Sequence, residues 1–363
     1  MEKEGKRMKK VISAVLMVTL LLSGCATKDQ RDQVNGTKSE QGTIYYVQTS
    51  PANMLQQLST GEIDAFVAWE PNNAQAVTEG TGRYLMQSGE VAAEHPCCIL
   101  ALAGTEGDED LALALAWANV KAVNFINDGN NHEKMLQYAM DFTGRDKESV
   151  VEALTYTKYV SFPDRERLAD FLGAMRQNGT LVKEPAALGY ANDEAFFQAF
   201  MNKDYVERVN AELEMNPSWV PPSVSGKQIT LGYINQDLHH LPMFIASQEG
   251  YYEAVGLVPG QNLQLKGYAN GVAVMEAFKV KELNASYLGV APAVLKQLND
   301  GIALRGIAGA NDEGSAIVVA KGSDIQSISD LKGKTVAIPG LGTVQSYILD
   351  LVARNNTMKL QAK

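Results

Sequence analysis

From Gln228 onward the chain alternates short apolar runs with amphipathic stretches, and this alternation constrains its fold more than any other feature. Ile229–Ile234 reads as a buried strand, followed after a loop by a helix over 242–252. Leu263–Tyr268 reads as a strand, and 272–281 as a helix with Val272, Met275 and Phe278 on its apolar face. Ala285–Gly289 is a strand, 292–299 a helix and 304–308 another strand. Strands separated by helices of this length predict βαβ units and a largely parallel sheet. Proline near the first turn of two of these helices fits a helix start.

A second series begins at Lys334, with a strand over 335–339, a tight Gly340-Leu341-Gly342 loop and a helix over 343–354. The chain then stops at Lys363, where the pattern asks for one more strand. A matching piece stands at the other end: a strand over 43–48, a helix over 52–59, a strand over 63–68 and a helix over 71–77. The stretches MEAFKVKELNASYLGVAP from Met275 and MLQQLSTGEIDAFVAWEP from Met54 share one plan of helix, strand and proline-opened helix. Between the two series the chain is helical over 111–126, 135–142, 149–154 and 165–177, and the proline-rich 216–227 reads as a linker.

With 363 residues, 45% of them hydrophobic, the chain has material for two folding units. Its net charge is −10, and the first 24 residues hold five basic and two acidic side chains, so the remainder carries −13. An acidic body argues against nucleic acid as a partner. Lys9 and Lys10 precede a dozen apolar residues ending in Leu22-Ser23-Gly24-Cys25. That run is too short to span a membrane but fits a secretory signal. The small residues before Cys25 resemble a lipobox, which implies a lipid-modified Cys25 and a body held at the extracytoplasmic face of a membrane. Polar residues from Ala26 to Gly42 read as a flexible tether.

The segments ITLGYI…HHLPMFIASQEGYY, YLGVAPAVL, GSAIVVAKGSDI, DLKGKTVAIPGLGTVQ, GEIDAFVAWEP and EHPCCILAL together resemble the nitrate/sulfonate/taurine-type substrate-binding proteins of ABC importers. The resemblance implies a two-lobe periplasmic-binding-protein-like α/β fold of type II. The order of segments departs from that family, because GEIDAFVAWEP lies far upstream of AIPGLGTVQ rather than after it. A circular permutant would read this way, with QAK continuing into GTIYYVQTSPANM, and so would a rearranged tandem pair. The resulting division is 1–24 signal peptide, 25–42 tether, 43–94 second part of lobe two and 95–215 return strand and helical region. It continues with 216–227 linker, 228–322 lobe one and 323–363 first part of lobe two.

No catalytic constellation stands out, so the site is sought in loops beyond the carboxyl ends of strands, where helix starts offer unpaired N–H groups. Candidate ligand-binding positions are Trp69, Glu70, His239, His240, Asn270, Gly271, Gly289, Val290, Ala291, Ser315, Gly342, Thr343, Val344 and Gln345. The helix start after Gly342 suits an anion without any lysine. A dinucleotide fingerprint is excluded there, since Gln345 replaces the third glycine and no acidic residue follows at the required distance. On an extended backbone the adjacent His239 and His240 would point apart, as would Cys97 and Cys98, and no metal site is expected. The two cysteines read as buried structural thiols.

These features imply a lipid-anchored solute-binding protein that closes on a small anion or sulfonate-like solute and docks on an ABC permease, without a cofactor. The alternatives are an enzyme on the same fold, as in a fungal thiamine-pyrimidine synthase with a cysteine-rich motif, and a non-functional rearrangement.

Overall fold

The structure is a computed structural model that describes residues 42–363. The signal peptide, Cys25 and nearly all of the tether lie outside the described residues. The first elements are β1 (Gly42–Gln48), α1 (Pro51–Thr60), β2 (Ala65–Trp69), α2 (Asn72–Thr78) and β3 (Gly82–Gln87). A crossing segment leads into β4 (Pro96–Ala103). There follow α3 (Glu109–Asn127), α4 (His132–Thr143), α5 (Lys147–Thr155), β5 (Thr157–Tyr159), α6 (Arg165–Gln177), α7 (Asp193–Phe200) and α8 (Asp204–Met215). After the linker come β6 (Ile229–Ile234), α9 (Leu241–Gln248), α10 (Tyr251–Ala254), β7 (Leu263–Tyr268), α11 (Gly271–Lys279), β8 (Ala285–Gly289) and α12 (Val290–Asp300). The chain continues through β9 (Leu304–Glu313), β10 (Ser315–Ala320), β11 (Thr335–Ile338), α13 (Val344–Asn355) and β12 (Met358–Ala362).

The strands form two six-stranded sheets, ordered β12-β1-β11-β2-β10-β3 and β5-β9-β4-β8-β6-β7. Each has a parallel part built from βα units and an antiparallel part where long strands return. The expected α/β architecture is therefore present. β8 is buried along its whole length, whereas β6 is buried at four of six positions and β7, at the sheet edge, buries only Leu263, and all three fall where the sequence places them.

Three details differ from the sequence expectation. The helix expected over 242–252 is broken by Gly250, whose φ of 72° separates α9 from α10. β10 lies in the sheet of lobe two, paired antiparallel with β2 and β3, so lobe one does not extend to residue 322. The turn between β9 and β10 is made by Glu313 and Gly314, both at positive φ, and it carries the chain from one sheet to the other.

The third difference is at the end of the chain. The strand missing from the sequence pattern is present as β12, and β1 enters the sheet between β12 and β11. β12 and β1 run parallel, Gly42 opposite Met358 and Tyr46 opposite Ala362, so Lys363 does not run on into Gly42 as one strand. Both segments carry alternating apolar residues, so each satisfies the pairing rule of an edge or inner strand.

Helix α3 is buried nearly all round and packs between α8, α9 and β9. Its Asn119 donates Nδ2–H to the Gly309 carbonyl at 2.8 Å and accepts from the Tyr287 hydroxyl at 2.8 Å, tying the helix to β9 and β8. The linker lies against this helix, where Trp117 Nε1 donates to the Trp219 carbonyl at 2.9 Å. Among the described residues no helix is long and apolar enough to cross a membrane.

Candidate functional site

Both sheets point strand ends and helix starts at one small cavity. From the first sheet come Trp69, at the end of β2, and Thr343, Val344 and Gln345 at the start of α13. From the second come Cys97 and Cys98 on β4, Ile234 at the end of β6, Asp237 and His239 beyond it, Gly271, Gly289 and Pro292. The cavity measures about 20 Å³, space for about one water molecule. The two sides touch around it: a Cβ on Gly289 would stand 3.6 Å from Cγ2 of Val344.

Of the positions expected from sequence, Trp69, His239, Gly271, Gly289, Thr343, Val344 and Gln345 line this cavity. The others lie one layer behind it or beside it. Glu70 is buried and caps α2, its Oε2 accepting from the Ala74 N–H at 2.9 Å, so it serves the helix rather than the cavity. Asn270 is the N-cap of α11, accepting from Ala273 N–H at 3.0 Å. Ser315 accepts from Gln345 Nε2 at 2.9 Å, fixing a side chain that does reach the cavity. Val290 and Ala291 are packed in the first turn of α12. Gly342, at φ 79°, lines a separate cavity with Tyr347 and Arg354. His240 accepts the Ile234 N–H on Nδ1 at 2.9 Å and so braces the loop.

Two geometric expectations fail here, both for local reasons. The adjacent histidines lie not on extended backbone but in a 3₁₀ turn, Leu238–His240. Both rings consequently face Asp237, His239 Nδ1 at 3.5 Å and His240 Nε2 at 3.9 Å. The cysteines fail the alternation rule because β4 is irregular against β9. Pro96 pairs with Asp312 and Cys98 with the very next residue, Asn311, leaving Cys97 as an extra residue. Both thiols turn to the same side, 4.0 Å apart, with His239 Nδ1 at 3.3 Å from Cys97 and 4.0 Å from Cys98.

The electrostatics follow from burial. His239 Nε2 lies 3.0 Å from the carbonyl of Gly314, which can only accept, so this nitrogen carries the hydrogen and Nδ1 faces Cys97. Burial alone would lower the His239 pKa, but Cys97 and Asp237 outweigh it and hold it at about 9. Cys97 is held well below the usual thiol range by the hydrogen bond from Cys98 and by His239, against burial. Burial pushes Cys98 well above that range. Burial also raises Asp237 to about 7 and Glu70 to about 7. Donor atoms of Cys97, Cys98 and His239 lie within 4.8 Å of one another, as do those of Cys98, Asp237 and His240. That spacing is close enough for a metal ion, yet the hydrogen bonds among these atoms also satisfy much of the cluster. Trp69 Nε1 and, within the cluster, His240 Nε2 are buried with no hydrogen-bond partner among the described residues.

Two α/β sheets converging on a small cavity give the two-lobe, periplasmic-binding-protein-like α/β fold expected from the sequence. In comparisons with known families, residues 32–140 match the model of the NMT1-like family, and residues 237–362 match the model described as NMT1/THI5 like. The two matches together take in more than half of the chain and include nearly all of the segments that carry the nitrate/sulfonate/taurine-type motifs. No curated protein matches. Among solved structures, the binding protein AgaA in complex with agropinic acid, from A. tumefaciens R10, matches at 8% identity and a TM-score of 0.34. That match covers 84% of this chain and 58% of the AgaA chain.

Proposed function

We propose that this protein is the solute-binding component of an ABC importer, held at the outer face of a membrane through a lipid on Cys25. The observation that carries the reading is the inter-sheet cavity, lined in part by Trp69, whose Nε1–H is buried without an acceptor among the described residues. A buried donor left unpaired costs roughly 1–3 kcal/mol, which a solute acceptor in the cleft would offset. Opening about the Glu313–Gly314 crossing admits the solute, and contacts from both sheets then favour the closed form. The closed form is what a permease would read. The lobe fed from both ends of the chain supports a permuted order, with β1 to β3 from one end and β10 to β12 from the other forming one sheet.

The lining bears on the solute class. Cys97, Asp237 and His239 line the cavity, and no lysine or arginine is among the described lining residues. The α13 start favours an anion by its N–H groups, as the resemblance implies. The thiolate and carboxyl of Cys97 and Asp237 oppose one and favour a neutral or cationic solute with hydrogen-bond donors. Thermal melts with nitrate, bicarbonate, sulfonates and neutral or cationic nitrogen heterocycles decide between these. A ligand at about 100 times its Kd adds about 2.7 kcal/mol. A response to anions alone supports the sulfonate-type assignment, a response to heterocycles alone the alternative, and a sharp melt with no response rejects the panel.

One observation favours a second reading. The Cys97–His239 pair has the geometry of an activated nucleophile, as an enzyme on this fold would require. Turnover of a bound solute that is lost in Cys97→Ser, with binding retained, would establish it. Binding without turnover leaves the importer reading in place.

A further inference from the structure

We propose that Cys97 and Cys98 form a redox-responsive dithiol, in which Cys97 is oxidised by a hydroperoxide and Cys98 closes a disulfide with it. Three features of the fold build this site. The extra residue in β4 brings adjacent sulfurs to the same side of the strand, 4.0 Å apart, where regular backbone would send them to opposite faces. His239 stands against Cys97 at 3.3 Å with its other nitrogen committed to the Gly314 carbonyl, so Nδ1 is free to take the thiol proton. The two sulfurs are also unequal. Cys98 donates toward Cys97 and sits in a position where burial keeps it a neutral thiol, while the same hydrogen bond favours the thiolate of Cys97. One thiol is prepared to attack and the other to resolve.

The chemistry balances with one oxidant. The Cys97 thiolate attacks the nearer oxygen of the peroxide and the O–O bond breaks. Cys97 becomes a sulfenic acid, and the departing alkoxide or hydroxide takes the proton held by His239. Cys98 sulfur then attacks Cys97 sulfur, the S–O bond breaks, and the leaving hydroxide takes the Cys98 proton as water. Two thiols and one hydroperoxide thus give one disulfide, one alcohol or water, and one water. Both sulfurs are almost wholly buried beside the cavity, so the oxidant enters when the two sheets part.

The test treats the full chain with hydrogen peroxide in buffer containing a chelator and maps the peptides under non-reducing conditions. A loss of two hydrogens on the peptide that carries both Cys97 and Cys98, restored by a thiol reductant, is the expected result. Cys98→Ser should stop at a sulfenic acid that a 1,3-dione captures on Cys97. His239→Asn should slow the oxidation about tenfold or more, with a melt confirming that the variant is folded. Direct passage of Cys97 to sulfinic acid in the unaltered chain would overturn the proposal. So would an intact dithiol under peroxide conditions that oxidise added free cysteine, or an unchanged rate in folded His239→Asn.

Discussion

His239 and Gly314 join the cavity-lining loop of one sheet to the crossing point between both. The imidazole Nε2 donates to the Gly314 carbonyl at 3.0 Å, and the same carbonyl accepts the Glu70 N–H at 2.9 Å. Gly314 sits at φ 76°, and a Cβ there would drive into the His239 ring. Gly314→Ala is therefore expected to cost about 2–4 kcal/mol, from left-handed strain and displacement of a buried imidazole together. A denaturant melt checks it, and a loss under 1 kcal/mol (roughly what an ordinary surface change costs) would mean the turn relaxes freely.

Glu70 makes stability depend on pH in a definite direction. Burial raises its carboxyl from an ordinary 4.5 to about 7, so the folded chain holds this proton where the unfolded chain has released it. Stability from this group is complete below pH 4.5 and declines as pH rises toward 7. Glu70→Gln should reduce the decline between those limits by about 1–3 kcal/mol. Asp237 keeps part of the slope, since its own carboxyl is raised to about 7. Melts at pH 4.5 and pH 8 on both proteins measure the difference, and parallel pH curves would refute the assignment.

Trp69 offers a donor that nothing among the described residues accepts. Trp69→Phe keeps an aromatic ring in place and removes only that donor and some ring volume. If the cleft binds solute through Nε1, affinity should fall about tenfold, the worth of one buried hydrogen bond. Calorimetric titration with a solute identified in the melt screen reads this directly. Unchanged affinity would place the solute elsewhere.

Asn119 ties α3 to β8 and β9 through Tyr287 and Gly309. Asn119→Ala leaves the Gly309 carbonyl and the Tyr287 hydroxyl buried without this partner, at an expected cost of about 2–4 kcal/mol. Tyr287→Phe removes one bond and should cost nearer 1 kcal/mol, as a typical hydrogen bond does. The two changes should be less than additive in a double-mutant cycle, because the second removes a partner the first has already lost. Full additivity would show that the network carries no coupling.

The sequence made the parallel core legible because local pattern suffices there. β6, β7, β8 and α6 have the boundaries that apolar periodicity assigns, and the glycines of the cavity wall sit at strand ends where βα geometry requires a turn. What stayed hidden depends on partners far away in sequence. The turn of Cys97 toward His239 arises from a mismatch between β4 and β9, and no reading of HPCC alone reveals a register. The pairing of adjacent histidines with Asp237 depends on a 3₁₀ turn, which the residues His239-His240 do not announce. Asp237 carried one available signal, lying two residues before a histidine pair at a helix start. The placement of Glu70 behind the cavity was legible as a helix cap, since a carboxylate at a helix start accepts its N–H groups.

The pairing of β1 with β11 also sets a timetable. Tyr45 lies opposite Thr335, a residue the ribosome adds about 290 positions later. At roughly 5–20 residues per second, β1 waits on the order of tens of seconds for the neighbour it needs. The β6-to-β8 unit, by contrast, closes among residues made within moments of each other. The sheet holding Trp69 is therefore the late partner in biogenesis, and an apolar strand kept waiting is one a holding chaperone would have to shield.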